Sequence, residues 1–225
     1  MEKEEVVKKD WDEYWSRQGT STSEAYNFFA NFYRNRIIKP FLNHFIFRHF
    51  PKGANLLHAG CGSGMVDKDV LKQYQVTALD ISPEALEIYK RINQGAHAIT
   101  LGNIFSLPFS NDSFDGIYNL GVMEHFTEDE IRQVLIEFKR VLKVKGKIIL
   151  LIPPVFGLTV QVLDIAHFVL NRILRKNVKL HPDEITRVRS QKHIRRLIEE
   201  SGFKFIEYYF GHKDAFTQIV IVGEK

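Results

Sequence analysis

Between Asn55 and Ile152 the chain alternates short β-type runs with stretches at helical spacing, and that alternation leaves few folds open. Strands separated by helices are joined through crossovers, which makes the sheet parallel and demands cover on both of its faces. The strand candidates are Asn55 to Ala59, Gln75 to Ile81, Ala98 to Leu101, Phe114 to Asn119, and Lys147 to Ile152. Helices over Val66 to Tyr74, Pro83 to Asn93 and Glu128 to Leu142 connect them, and the third crossover, around Asn103 to Asp112, is short and irregular. Thr127 with Glu130 three residues on forms a capping box and marks the start of the last of these helices. Ser190 to Ser201 reads as a helix closed by Gly202. Phe203 to Phe210 and Phe216 to Val222, joined by a tight turn at Gly211 to Asp214, suit an antiparallel hairpin. The expected fold is α/β and doubly wound, with a mainly parallel seven-stranded sheet ending in that C-terminal hairpin.

A chain of 225 residues suits a single domain. Before the alternating core, Trp11, Trp15, Tyr26, Phe32, Phe41 and Phe45 recur near helical spacing, so residues 1–50 are expected to form an N-terminal helical cap. Residues 155–188 form a second cap, inserted after the fifth strand. Within it, Val155 to Leu174 is apolar on one side, and mid-segment Asp164 and His167 argue against a membrane span. It reads either as a helix over the substrate pocket or as a peripheral membrane contact. A hydrophobic share of 44% excludes a disordered chain, and Cys61, the only cysteine, has no internal disulfide partner. Residues 1–10 lack the apolar core of a signal peptide, so the expected location is cytoplasmic.

The net charge of +4 is mild, but Arg172, Arg175, Lys176, Lys179, Arg187, Arg189, Lys192, Arg195 and Arg196 stand against only Asp183 and Glu184. Such a run is either a solvated face or a site for an anionic molecule or membrane surface. No motif bears on the oligomeric state.

The stretch Leu56-Leu-His-Ala-Gly60-Cys-Gly62-Ser-Gly64-Met65 runs from a strand straight into glycines. Glycines let the backbone turn sharply and approach a ligand closely, and the following helix start favours negative charge. Asp80 closes the second strand twenty residues after Gly60, beside the first loop, where a carboxylate can accept from both hydroxyls of a ribose. A nucleoside ligand follows. A dinucleotide loop needs a small residue where this chain has Met65, which weakens a nicotinamide reading and favours another adenosine-bearing cofactor.

These residues, with Gly102-Asn103-Ile104, Leu107-Pro-Phe109, Ser113-Phe-Asp115, Gly121-Val-Met-Glu-His125 and Leu142-Lys-Val-Lys-Gly146, come in the order of the class I S-adenosylmethionine-dependent methyltransferases. The chain resembles that family over roughly residues 50 to 152. The resemblance implies S-adenosyl-L-methionine as cofactor. Gly60, Gly62 and Gly64 would line its amino-acid end, Asp80 would hold the ribose, and Ile81 would lie beside the adenine. Asn103 and Ile104 would flank the other adenine face, with Leu120 toward the sulfonium.

Three positions depart from the family pattern. His58 stands two before Gly60 where an acid is usual, Asn103 stands for Asp, and Lys145 replaces the first of two glycines before the fifth strand, a change expected to be harmless. Asn119-Leu-Gly-Val122 is not the Asn/Asp-Pro-Pro-aromatic motif of members that methylate exocyclic amines of nucleic-acid bases, and Pro153-Pro154 carries no cysteine for a base adduct, so nucleic acid is disfavoured as partner.

His125 is the candidate catalytic residue, either a general base for the methyl acceptor or a group that holds its loop, and Glu124 has the same two readings. Cys61 sits near a helix start as a nucleophile would, but direct methyl transfer needs none, and the loop wants small residues there. No metal site is expected. The sequence thus favours a methyltransferase acting on a small-molecule or lipid-linked acceptor, apolar or anionic. A nicotinamide-dependent oxidoreductase and a non-catalytic S-adenosylmethionine-binding protein are the alternatives.

Overall fold

The computed structural model describes residues 11–16, 31–157, 172 and 184–225. Tyr26, most of the 155–188 cap and the basic run from Arg175 to Asp183 lie outside them. Seven strands form one sheet: β1 (Asn55–Ala59), β2 (Gln75–Asp80), β3 (Ala98–Leu101), β4 (Phe114–Leu120), β5 (Leu142–Ile152), β6 (Lys204–Tyr209) and β7 (Ile219–Glu224). Their order is β3-β2-β1-β4-β5-β7-β6, and the first five are parallel while β7 runs antiparallel to both neighbours. The expected sheet is therefore present. Its final connection is wider than a tight turn, because β7 starts only at Ile219, after the short helical turn His212–Asp214.

Among the described residues, four helices of ten or more residues accompany the sheet: α1 (Lys39–His49), α2 (Pro83–Ile92), α3 (Glu128–Val141) and α4 (Gln191–Glu200). In α3, Ile131, Val134, Leu135 and Phe138 repeat at three- and four-residue steps, and all are buried against one face of the sheet with Ile148 and Leu150. Its capping box is formed: Thr127 Oγ1 accepts from Glu130 N, and Thr127 N donates to Glu130 Oε2 at 2.9 Å. The opposite face receives Phe41, Leu42, Phe45 and Ile46 of α1, which pack on Leu56, Tyr118 and Ile149. The aromatic N-terminal region thus completes the core that the alternating segment leaves open.

Two sequence expectations need correction. No α-helix spans Val66 to Tyr74; a short 3-10 turn, Asp67–Asp69, and further irregular turns stand there. Lys145 sits at φ 64°, in the left-handed region that costs a residue with a Cβ, so it is not harmless.

Candidate functional site

At the carboxyl end of β1 the chain turns through Gly60, Gly62 and Gly64, all with φ between 51° and 71°. The requirement is strictest at Gly64, where a Cβ would fall 2.2 Å from the Tyr89 ring. Gly60 N and Cys61 N donate to Leu79 O, and Gly62 N donates to Asp80 Oδ2 at 2.8 Å. The other Asp80 oxygen accepts from Ser82 N at 3.0 Å, so one buried carboxylate ties the loop to the start of α2. Burial pushes the Asp80 carboxyl above its usual range, and the bonds from Ser82 and Gly62 act against that.

A polar cluster that no sequence spacing announced lies beneath this loop. Asp67, fully buried, accepts from Tyr89 OH at 2.8 Å, from Tyr118 OH at 2.9 Å and from His58 Nδ1 at 2.8 Å. His58 also stacks on the Tyr118 ring with centroids 4.3 Å apart. The acid missing from position 58 is thus supplied from position 67, and drawing that side chain inward accompanies the irregular turns where a regular helix was expected. With three donors around it, the buried carboxylate meets the condition under which such a group is tolerated. Cys61 is buried beside the cluster, and burial, with Asp80 and Asp67 adding to it, pushes its thiol well up. That removes the thiolate a nucleophile needs.

A cavity of about 740 Å³ opens above the loop at the carboxyl ends of the parallel strands. Gly60, Gly62, Gly64, Asp80, Ile81, Asn103, Ile104, Leu120 and His125 all line it. Ile81 follows β2, Asn103 and Ile104 follow β3, Leu120 closes β4, and His125 ends the 3-10 turn Met123–His125. Asn103 Oδ1 accepts from Phe105 N at 3.0 Å, which orients the amide.

Residues 11–16, one helical segment, cover the opening. Trp15 lies on Gly62, so close that a Cβ there would fall 2.5 Å from its ring. Asp12 accepts from the Ser82 hydroxyl, and the Trp11 ring meets His125 edge-on at 5.1 Å. The sequence suggested that these aromatics cover something; only the structure shows that they reach the glycine loop.

Glu124 forms part of the cavity wall although it is only 5% exposed. Its backbone oxygen accepts from Ile185 N and Thr186 N, which brings the end of the 155–188 segment to the cavity, yet its Oε2 has no hydrogen-bond partner among the described residues. Burial pushes this carboxyl up to about 8, with Glu184 raising it further and Arg187 opposing.

Residues 57–150 match the family model described as a methyltransferase domain. The chain is 32% identical over 112 residues to a demethylmenaquinone methyltransferase of Symbiobacterium thermophilum, covering 46% of this chain and 44% of that protein. It is 31% identical over 99 residues to a probable tRNA methyltransferase 9B of Homo sapiens, covering 44% of this chain and 21% of that protein. The chain spans less than half the length of the relatives it matches in sequence. In structure, it is similar to magnesium protoporphyrin IX methyltransferase of Synechocystis with bound S-adenosylhomocysteine, at TM-score 0.69 and 14% identity, over 98% of this chain and 99% of that one. With its ordered motifs, its sheet order and the match to a methyltransferase domain over residues 57–150, the chain is similar over that stretch to the class I S-adenosylmethionine-dependent methyltransferases and shares their fold.

Proposed function

We propose that this protein binds S-adenosyl-L-methionine in the cavity above the glycine loop and catalyses transfer of its methyl group to a small-molecule acceptor. The observation that carries this reading is the convergence of all nine candidate residues, scattered from Gly60 to His125, on one cavity wall. The cavity suits the cofactor by its donors and shape. Asp80 presents a buried carboxylate whose known bonds are to backbone N–H groups, which leaves acceptor capacity for two ribose hydroxyls. Ile81 and Ile104 offer apolar faces for an adenine, with the Asn103 amide beside them. The three glycines keep side chains out of the space where the amino-acid end would lie.

When bound, the cofactor supplies an electrophilic methyl carbon; the protein's task is to hold the acceptor in line with it and keep water away. Trp11, Trp15 and Tyr14 line the cavity and form its apolar roof. His125, on the cavity wall with the Trp11 ring edge-on to it, would receive the proton from an acceptor that must lose one. The roof favours an apolar acceptor, and Arg34, also on the wall, supplies positive charge for an anionic group on it. The basic residues from Arg172 to Arg196 fit the same preference, or contact with an anionic membrane surface. No described helix is long and apolar enough to cross a membrane.

The test is to incubate the protein with S-adenosylmethionine and a panel of apolar and anionic acceptors and to measure S-adenosylhomocysteine by mass spectrometry. Acceptor-dependent product supports the reading. Tight cofactor binding with no product from any acceptor, RNA included, would favour a cofactor-binding protein without catalysis.

A further inference from the structure

Glu124 is the one acidic side chain on the cavity wall shown with a buried oxygen that has no hydrogen-bond partner among the described residues. It sits four residues beyond Leu120, in the turn at the carboxyl end of β4, and a Cβ built on Gly121 would lie 3.9 Å from its Oε1. With the cofactor bound as proposed above, and Leu120 toward its sulfur as the resemblance implies, the sulfur would lie at this end of the cavity. A buried carboxyl without a cation keeps its proton, and burial does push Glu124 up to about 8. Among the described residues, the charges that act on it are Glu184, which raises its carboxyl further, and Arg187, which opposes but is paired with Glu184 at 2.6 Å; the same wall also carries Arg34, Asp80, Glu130, His58 and His125.

S-adenosylmethionine carries a permanent positive charge on sulfur, whereas the product S-adenosylhomocysteine is neutral there and otherwise keeps the same groups. We infer that Glu124 reads this difference: it releases its proton to solvent when the sulfonium form binds and recovers one from solvent once the sulfur is neutral. The site then holds a carboxylate beside a cation before transfer and a neutral carboxyl beside a neutral thioether after it. Glu124 is therefore a specificity-determining residue that favours the methyl donor over the spent cofactor as pH rises. The sign follows from linkage. Between the titration of Glu124 in the donor complex and its titration in the free protein, near pH 8, donor binding expels a proton, so donor affinity increases with pH while product affinity gains nothing from this group.

This inference rests on the cofactor reading above, and calorimetry separates their failures. The full chain is titrated with each ligand at about pH 6.5 and about pH 7.5, in buffers of differing ionisation enthalpy. The expected result is that the donor releases more protons than the product, up to about one, and that the ratio of donor to product affinity rises by up to about tenfold per pH unit. The sulfonium also lowers the pKa of the donor's own amino group, so the part of the difference due to Glu124 is the part that Glu124→Gln removes. In Glu124→Gln both differences should shrink by the share of Glu124 while product affinity is kept, and Glu124→Ala gives the same reading if the amide variant fails to fold. Equal proton counts in the wild-type protein, or a difference that persists unchanged in the variants, would overturn the inference and leave the cofactor reading intact. Binding of neither ligand would overturn both.

Discussion

Asp80 holds the loop, since its oxygens accept from Gly62 N and Ser82 N, and it also lines the cavity where we propose that the ribose lies. Its place beside the glycine loop was legible in the sequence from an acid closing β2, twenty residues after Gly60. Its backbone bonds were not, because nothing in the spacing says which N–H groups a carboxylate will choose. Asp80→Ala should weaken S-adenosylmethionine binding by about 1–3 kcal/mol, as charge-assisted bonds to the ribose are lost and the loop loosens. Titration of the variant checks this, and an unchanged dissociation constant would remove Asp80 from the ribose. Asp67 marks the limit of reading a sequence by local pattern. Its partners His58, Tyr89 and Tyr118 come from three different elements, 9, 22 and 51 residues away, and they meet only after the sheet has formed.

At the scale of elements, β1 to β4 were legible almost to the residue because parallel strands are short apolar runs with turn residues at both ends, whereas β5 begins at Leu142 rather than Lys147 and β7 at Ile219 rather than Phe216. The segment after the glycine loop was not legible. Its helical periodicity, from Val66 through Val70 to Tyr74, is realised as buried contacts, but in irregular turns that carry Asp67 inward to its three donors and not in a regular helix. The turn before the central stretch of β5 offers a direct check on local strain. Lys145→Gly places a residue without a Cβ at φ 64° and should raise stability by about 1 kcal/mol, read as a higher midpoint in urea. The helical segment 11–16 is anchored mainly to the site rather than to the sheet core, through Asp12 to Ser82, Trp11 to His125 and Trp15 to Gly62. Deleting residues 1–30 should therefore loosen cofactor binding and abolish turnover while leaving the far-ultraviolet circular dichroism of the sheet in place. Full activity in the truncated protein would dismiss the roof.

For the whole molecule, the sheet order reverses between β1 and β4, and ligands of open α/β sheets gather beyond the strand ends at such a switch point. The cavity lies there, its floor made by the loop after β1 and its sides by residues that follow β2, β3 and β4. This explains why motifs far apart in the chain converge without any local signal of their meeting. The proposed acceptor side is less legible, because Trp11, Tyr14 and Trp15, and after β5 Glu184 and Ile185, reach the cavity from segments where no strand-and-helix rhythm fixes the geometry in advance. The central claim is that this switch point holds a methionine-derived nucleoside and not a dinucleotide. Calorimetric titration with S-adenosylmethionine, S-adenosylhomocysteine and NAD tests it most directly. Saturable binding of the first two at one site per chain, with no heat of binding from NAD, is the predicted result; tight binding of NAD with no response to either methionine-derived ligand would contradict it.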